Sequence, residues 1–250
     1  GQYGKGGDFL YRWGNPQSYN DNFSVNDKKL FGQHDVHWIP YNYPDGGKIM
    51  LFNNGQTRGY SSVDIITPPQ INPGFYYLNS NNIFGPDSIE WSYVDDIPTS
   101  FYASYISGAE RLPNGNTLIC EGTKGHFFEI NSQNDIVWNY FNPVVNSGPL
   151  SQGVPIPIGS NSWGNSTFRC ERYALDFSGF DGKDLTPKHP IELNPFPDTC
   201  SVISSIHELV NTKELVKIVN IVGQEVFPTK NQVLFYIYSD GSVKKQMILN

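Results

Sequence analysis

Short runs of apolar residues, several of them alternating with polar ones, punctuate this chain and are bounded by glycine, proline and asparagine. A two-residue period marks half-buried β-strands, and no stretch shows a helical period strong enough to compete. The runs also repeat. Ile39-Pro40, a turn and Gly47-Lys48-Ile49-Met50-Leu51-Phe52 correspond to Leu112-Pro113, a turn and Gly115-Asn116-Thr117-Leu118-Ile119-Cys120. A third strand follows in each copy, residues 61–65 and 126–130, and a fourth after a polar turn, residues 89–93 and 136–140. Each unit is a four-stranded meander with a tryptophan, Trp91 or Trp138, in its last strand. Such a unit cannot bury both faces alone and must stack on neighbours, so the pattern predicts antiparallel β-propeller blades. Residues 8–13 are expected to be the last strand of a preceding blade. A β-sandwich is the competing all-β reading.

Turn formers dominate the two insertions, residues 67–87 and 143–163, which are too long for hairpin loops and are expected to cover one rim. Asn194-Pro195-Phe196-Pro197 punctuates the chain, placing a propeller portion at 1–195, a linker at 196–210 and a separate unit at 211–250. That last unit holds two strongly alternating runs, residues 215–225 and 233–243, split by Pro228, with Asp240-Gly241 closing a final hairpin. It is expected to be a small β-sandwich or hairpin domain.

Only 16% of the residues are charged, against about 25% in average globular domains, which together with many aromatics, glycines and prolines suits an all-β chain. The formal charge of -7 and the lack of a Lys/Arg cluster exclude nucleic acid as the expected partner. No apolar run approaches the roughly 18 residues of a membrane-spanning helix. The chain starts at Gly1 without methionine or signal peptide, so an N-terminal portion is expected to be missing by processing or truncation. Cys120, Cys170 and Cys200 lack metal-ligand spacing, and no metal site is expected. Cys120 is expected to be a buried thiol. A Cys170–Cys200 disulfide fits an exported protein, and the sequence leaves it open.

Candidate chemistry concentrates between Leu30 and Arg58. His34 and His37 lie in a strand that leads through a hairpin to Asn53-Asn54-Gly55 and Arg58. An imidazole, amide donors and a guanidinium are the parts needed to handle a small oxyanion. His34 stands six residues before Pro40 and Ser107 six before Pro113, so both are expected on a channel wall. Strand alternation puts His34 and His37 on opposite faces, so only one should face a pocket. Arg58, Asn53, Asn54, His37, Ser107 and Arg111 are the expected substrate-binding residues, with Arg169 as an outlying candidate. Phe75-Tyr76-Tyr77 is expected to serve as a phenol-stacking wall or a carbohydrate platform.

Gln33-His34-Asp35-Val36, Trp38-Ile39-Pro40 and Leu51-Phe52-Asn53-Asn54-Gly55 resemble the arylsulfotransferase family, as do Phe168-Arg169-Cys170-Glu171-Arg172-Tyr173 and Gly182-Lys183-Asp184-Leu185-Thr186-Pro187. The resemblance covers roughly residues 9–192. It implies a six-bladed propeller that moves a sulfuryl group from a phenolic sulfate to a phenol through a sulfohistidine, at the position His34 occupies. Neither a cofactor nor a nucleotide sulfate donor is implied. The family's further active-site histidines and asparagine, from earlier blades, have no counterpart here. Either a larger N-terminal portion is missing, or the ring is reduced and open. The tail, with Val222-Gly223-Gln224-Glu225 and Phe235-Tyr236-Ile237-Tyr238-Ser239-Asp240-Gly241, resembles the C-terminal sorting domain of the type IX secretion system of Bacteroidetes. That implies the secretion machinery as a partner and a secreted or cell-surface location. A non-catalytic propeller binding a ligand or partner at the cell surface is the alternative function.

Overall fold

The glycine and proline turns within the two repeats close antiparallel hairpins, and each repeat forms one four-stranded sheet. The structure is a computed structural model that describes every residue except 1, 2, 5, 8, 158–163, 197–214, 229, 230, 239–242 and 248–250. The first sheet contains β1 (His34–Trp38), β2 (Ile49–Asn53), β3 (Ser62–Ile66) and β4 (Trp91–Tyr93), in that order. The second contains β5 (Gly108–Arg111), β6 (Thr117–Glu121), β7 (His126–Ile130) and β8 (Ile136–Phe141), again in chain order. Among the described residues there is no α-helix, and the two sheets do not close into a ring. The protein is all-β, and each predicted meander is a sheet with its first strand at one edge.

Alternation along the strands decides what each face buries. Met50, Phe52, Val63 and Ile65 of the first sheet form one cluster with Ala109, Ile119, Phe128 and Ile130 of the second. The opposite face of β2 and β3 is buried as well, at Leu51, Asp64 and Ile66. Here the buried Asp64 carboxylate accepts from Asn53 Nδ2 at 3.0 Å and Ser92 Oγ at 2.7 Å, which satisfies the charge by hydrogen bonds.

Phe101, on the connection between the sheets, is 2% exposed and fills the seam. Its ring meets those of Phe52, Tyr93 and Phe128 edge-on, at centroid distances of 5.5, 5.4 and 5.8 Å. One side chain therefore carries contacts to both sheets.

Residues 9–13 differ from expectation: they form no strand. Tyr11 Oη instead donates to Gly85 O at 2.7 Å, and Trp13 Nε1 donates to Pro86 O at 2.8 Å. The first insertion correspondingly packs on this segment, with Tyr76 and Phe84 against Tyr11 and Phe75 edge-on to Tyr3. Its prolines permit only a short ribbon, Gln70–Asn72 with Phe75–Tyr76, in which Tyr76 packs on Tyr11 while Phe75 and Tyr77 stay exposed.

The chain divides into two compact units, residues 1–200 and 201–250. The second is a single antiparallel sheet of β9 (Leu215–Val219), β10 (Val233–Tyr238) and β11 (Val243–Met247), with Leu234 fully buried. A second layer that would make it a sandwich is absent among the described residues. After β9 an Asx turn bends the chain, Asn220 Oδ1 accepting from the amides of Val222 and Gln224. The Asp240-Gly241 turn lies outside the described residues, and the strands flanking it pair Ile237 with Val243.

Phe101→Ala removes the ring that bridges the sheets, and about 3–5 kcal/mol of stability is expected to be lost. Guanidinium denaturation of unit 1 measures it. Phe101→Leu, which keeps most of the volume, is expected to cost less than half as much.

Candidate functional site

β1 is not a regular strand. Asp35 adopts φ 56°, a left-handed conformation that an aspartate tolerates better than most residues. The register slips there, so that His34 pairs with Phe52 and His37 with Met50. Phe52 and Met50 lie two residues apart on the face that meets the second sheet. The bulge therefore puts His34 and His37 on the same face, and corrects the expectation of opposite faces.

The Asp35 carboxylate, 10% exposed, ties three segments together. Oδ2 accepts from Ala109 N at 3.1 Å and Oδ1 is 3.0 Å from Arg169 Nη2. A Cβ on Gly108 would lie 2.3 Å from Oδ2, so only glycine fits where β5 passes.

His34 is held through Nδ1, 2.7 Å from Asn54 Oδ1 and 3.2 Å from Gly32 O. Asn54 is fully buried, and its Nδ2 donates to Ala103 O at 2.7 Å and Ile106 O at 2.9 Å. Carbonyls only accept, so the amide has one orientation and Oδ1 faces the imidazole. Both partners of Nδ1 are then acceptors. Nδ1 carries the proton, and Nε2 keeps its lone pair, with no hydrogen bond to the described residues. The segment that receives Asn54 is itself strained, since Ile106 and Ser107 have φ of 49° and 83°.

The other expected residues are placed differently. Asn53 is buried on the far face, bonding Lys29 O, Phe31 N and Asp64. Arg58 bonds Tyr60 O, Asn53 O and Ser62 Oγ and stacks on Tyr60 at 4.5 Å, so its donors serve the turn. Gly55 makes that turn possible: with φ 73°, a Cβ would fall 1.7 Å from Tyr60 O. Ser107 is buried rather than on a channel wall, its Oγ accepting from Gly122 N at 2.9 Å. Arg111 lies three residues along β5 from Gly108, about 10 Å away, where it pairs with Asp45 at 3.0 Å and covers Trp91 at 4.9 Å. Burial pulls its pKa down despite Asp45.

His37 opens instead on a small cavity of about 160 Å³, lined also by Asp35, Glu110, Arg169 and Cys170. Its Nδ1 donates to Asp35 O at 2.8 Å, which in the neutral ring again places the lone pair on Nε2. Burial raises the pKa of Glu110, opposed by the amide of Arg172 that donates to it. The structure thus brings together His34 and Asn54, and beside them His37 and Arg169 around Asp35. Asp35 and Glu110 were not among the expected site residues. The aspartate was visible only as part of Gln-His-Asp, and the glutamate carried no signal. Among the described residues no three His, Cys, Asp or Glu side chains converge on a metal position.

Four-stranded sheets packed on one shared cluster, with an imidazole held by Asn54 at the edge strand of one, define an all-β protein of two blade-like units. A family model described as Arylsulfotransferase (ASST) matches residues 17–146 of the 250. The chain belongs to this family, which gives it an arylsulfotransferase-like function in general terms. The matched region holds His34, His37, Asn54 and Asp35, and stops before Arg169 and the second unit. No curated protein and no solved structure matches the chain.

At neutral pH the ¹⁵N spectrum of the His34 side chain is expected to show the Nδ1–H tautomer. Asn54→Ala is expected to move it toward Nε2–H and to cost about 1–3 kcal/mol, because Ile106 O loses its donor and Ala103 O keeps only the long bond from Ser61 Oγ.

Glu110 binds its proton more tightly folded than unfolded, so its contribution to stability falls as pH rises from about 4.3 through the raised pKa. Glu110→Gln keeps an acceptor for Arg172 N and removes the buried charge. Its melting temperature is expected to exceed that of the parent at pH 7, and the gain to vanish near pH 4.

Proposed function

We propose that the protein transfers a sulfuryl group from a phenolic sulfate ester to a phenol through a sulfohistidine at His34. The observation that carries this reading is the pair of acceptors at His34 Nδ1, which leaves the Nε2 lone pair free to attack. Nε2 forms a bond to sulfur as the sulfur–oxygen bond to the aryl group breaks, and phenolate leaves. The phenolic oxygen of the acceptor then attacks the same sulfur, the nitrogen–sulfur bond breaks, and the acceptor's proton passes to solvent or base. His37, whose Nδ1 donates to Asp35 O, lines a cavity of its own and is the base assigned to an acceptor bound there. Charge on the sulfuryl oxygens needs fixed donors. Arg58 and Arg111 are committed elsewhere, so Arg169, 40% exposed at the cavity, is the guanidinium left for this role.

A second reading is favoured by a specific observation. Arg111 and Ser107 turn away from His34, and the ring is open among the described residues. A propeller that binds a ligand or partner without turnover is consistent with both. For the second unit, the Val222-Gly223-Gln224-Glu225 turn and the pairing of β10 with β11 support the reading as a type IX sorting domain. Export to the cell surface follows from that reading. In the described residues no helix is long and apolar enough to cross a membrane.

Release of nitrophenol from nitrophenyl sulfate with phenol as acceptor tests the enzyme reading. The parent is expected to turn over, His34→Ala to lose at least about 10³-fold, and a sulfuryl adduct to map to His34. A folded protein with no turnover favours the binding reading.

A further inference from the structure

We propose that Cys120 and Cys170 are a disulfide-forming pair whose oxidation clips residues 164–172 onto the second sheet. Cys120, near the end of β6, is 1% exposed and points to the face opposite the core residue Ile119. Across that face runs a segment with no strand of its own. Thr167 O lies 3.8 Å from the Cys120 sulfur, and Cys170, three residues on, falls between two residues bonded to Ser107 and Glu110, alongside Gly108, the β5 partner of Cys120. Both are reduced thiols in this structure.

The segment is pinned on both sides of Cys170, which holds that residue beside the strand that pairs with Cys120. Before it, Thr167 N donates to Gly122 O at 2.8 Å and Ser107 N donates to Phe168 O at 3.2 Å. After it, Arg172 N donates to Glu110 at 2.7 Å, while Arg169 reaches Asp35. The sequence left Cys170 with Cys200 as a candidate, and Cys200 lies outside the described residues. The placement of Cys170 favours Cys120.

The two ends have different access. Cys170 is half-buried and lines the cavity beside His37 and Arg169. The neighbouring Cys170 thiol and burial push the Cys120 thiol pKa up, which makes Cys120 the slower nucleophile. Cys170 as thiolate attacks one sulfur of an external disulfide, such as oxidised glutathione, and expels one thiolate of it. Cys120 loses its proton and attacks the Cys170 sulfur of the mixed disulfide, expelling the second glutathione thiolate. The two protein thiols lose two protons and two electrons, and the external disulfide takes up the electrons to become two thiols. The bond then closes the chain between positions 120 and 170 and holds Arg169 at the cavity.

The test treats the full native chain with excess oxidised glutathione, alkylates the remaining thiols and maps peptides without reduction. One free thiol and a fragment linking Cys120 to Cys170 are expected. The melting temperature is expected to rise by about 5 °C, to fall back with dithiothreitol, and to show no such response in Cys170→Ala. Cys200→Ala, which leaves the pair intact, must still give the link. A bond to Cys200, a glutathione adduct that stops at Cys170, or three free thiols overturns the proposal.

Discussion

The bulge at Asp35 is the constraint on which the arrangement of this site depends. A left-handed aspartate inserts one extra residue into the edge strand of the first sheet, and its carboxylate is then caught by Ala109 N and Arg169. The ion pair alone is worth little where Arg169 is partly solvated. Its combination with a backbone amide and with Gly108, which has no side chain to obstruct it, fixes how closely β1 and β5 approach. The same extra residue turns both histidines toward the seam between the sheets.

At that seam packing and chemistry are the same set of bonds. Asn54 belongs to the hairpin end of the first sheet, and the carbonyls it binds belong to the connection that leads to the second. Ser61 reinforces the join, its Oγ donating to Asn54 O and accepting from Ala103 N. Deeper in, Phe101 fills the space between Phe52 and Phe128. The imidazole of His34 is thus oriented by groups that the tertiary structure also needs, which keeps its ring fixed without a carboxylate partner of its own. The strain at Ile106 and Ser107 falls where those demands meet.

Charged side chains that looked alike in the sequence take different duties for reasons of distance. Arg58, four residues after Asn54, curls back on its own turn because Tyr60 O and Ser62 Oγ are nearest. Arg111 sits at the far end of β5, where Asp45 of the first hairpin turn reaches it. Arg169 comes from a segment outside both repeats, and reaches the site only because that segment crosses β5.

The all-β class, the two four-stranded meanders and the grouping of His34 with Asn54 were legible in the sequence, because strand period, glycine turns and motif context are local properties. The loss of residues 9–13 as a strand was not legible: Phe9–Trp13 has strand composition, and its bonds to Gly85 and Pro86 arise between positions more than seventy residues apart. Neither was the shared face of the two histidines, since alternation counts residues and a bulge adds one without any mark in composition. The sequence alone determined which residue types stand near one another along each strand. Only the tertiary structure decided which of them have hydrogen-bonding capacity left for a ligand, because a donor or acceptor is spent on whichever partner the fold brings within about 3 Å.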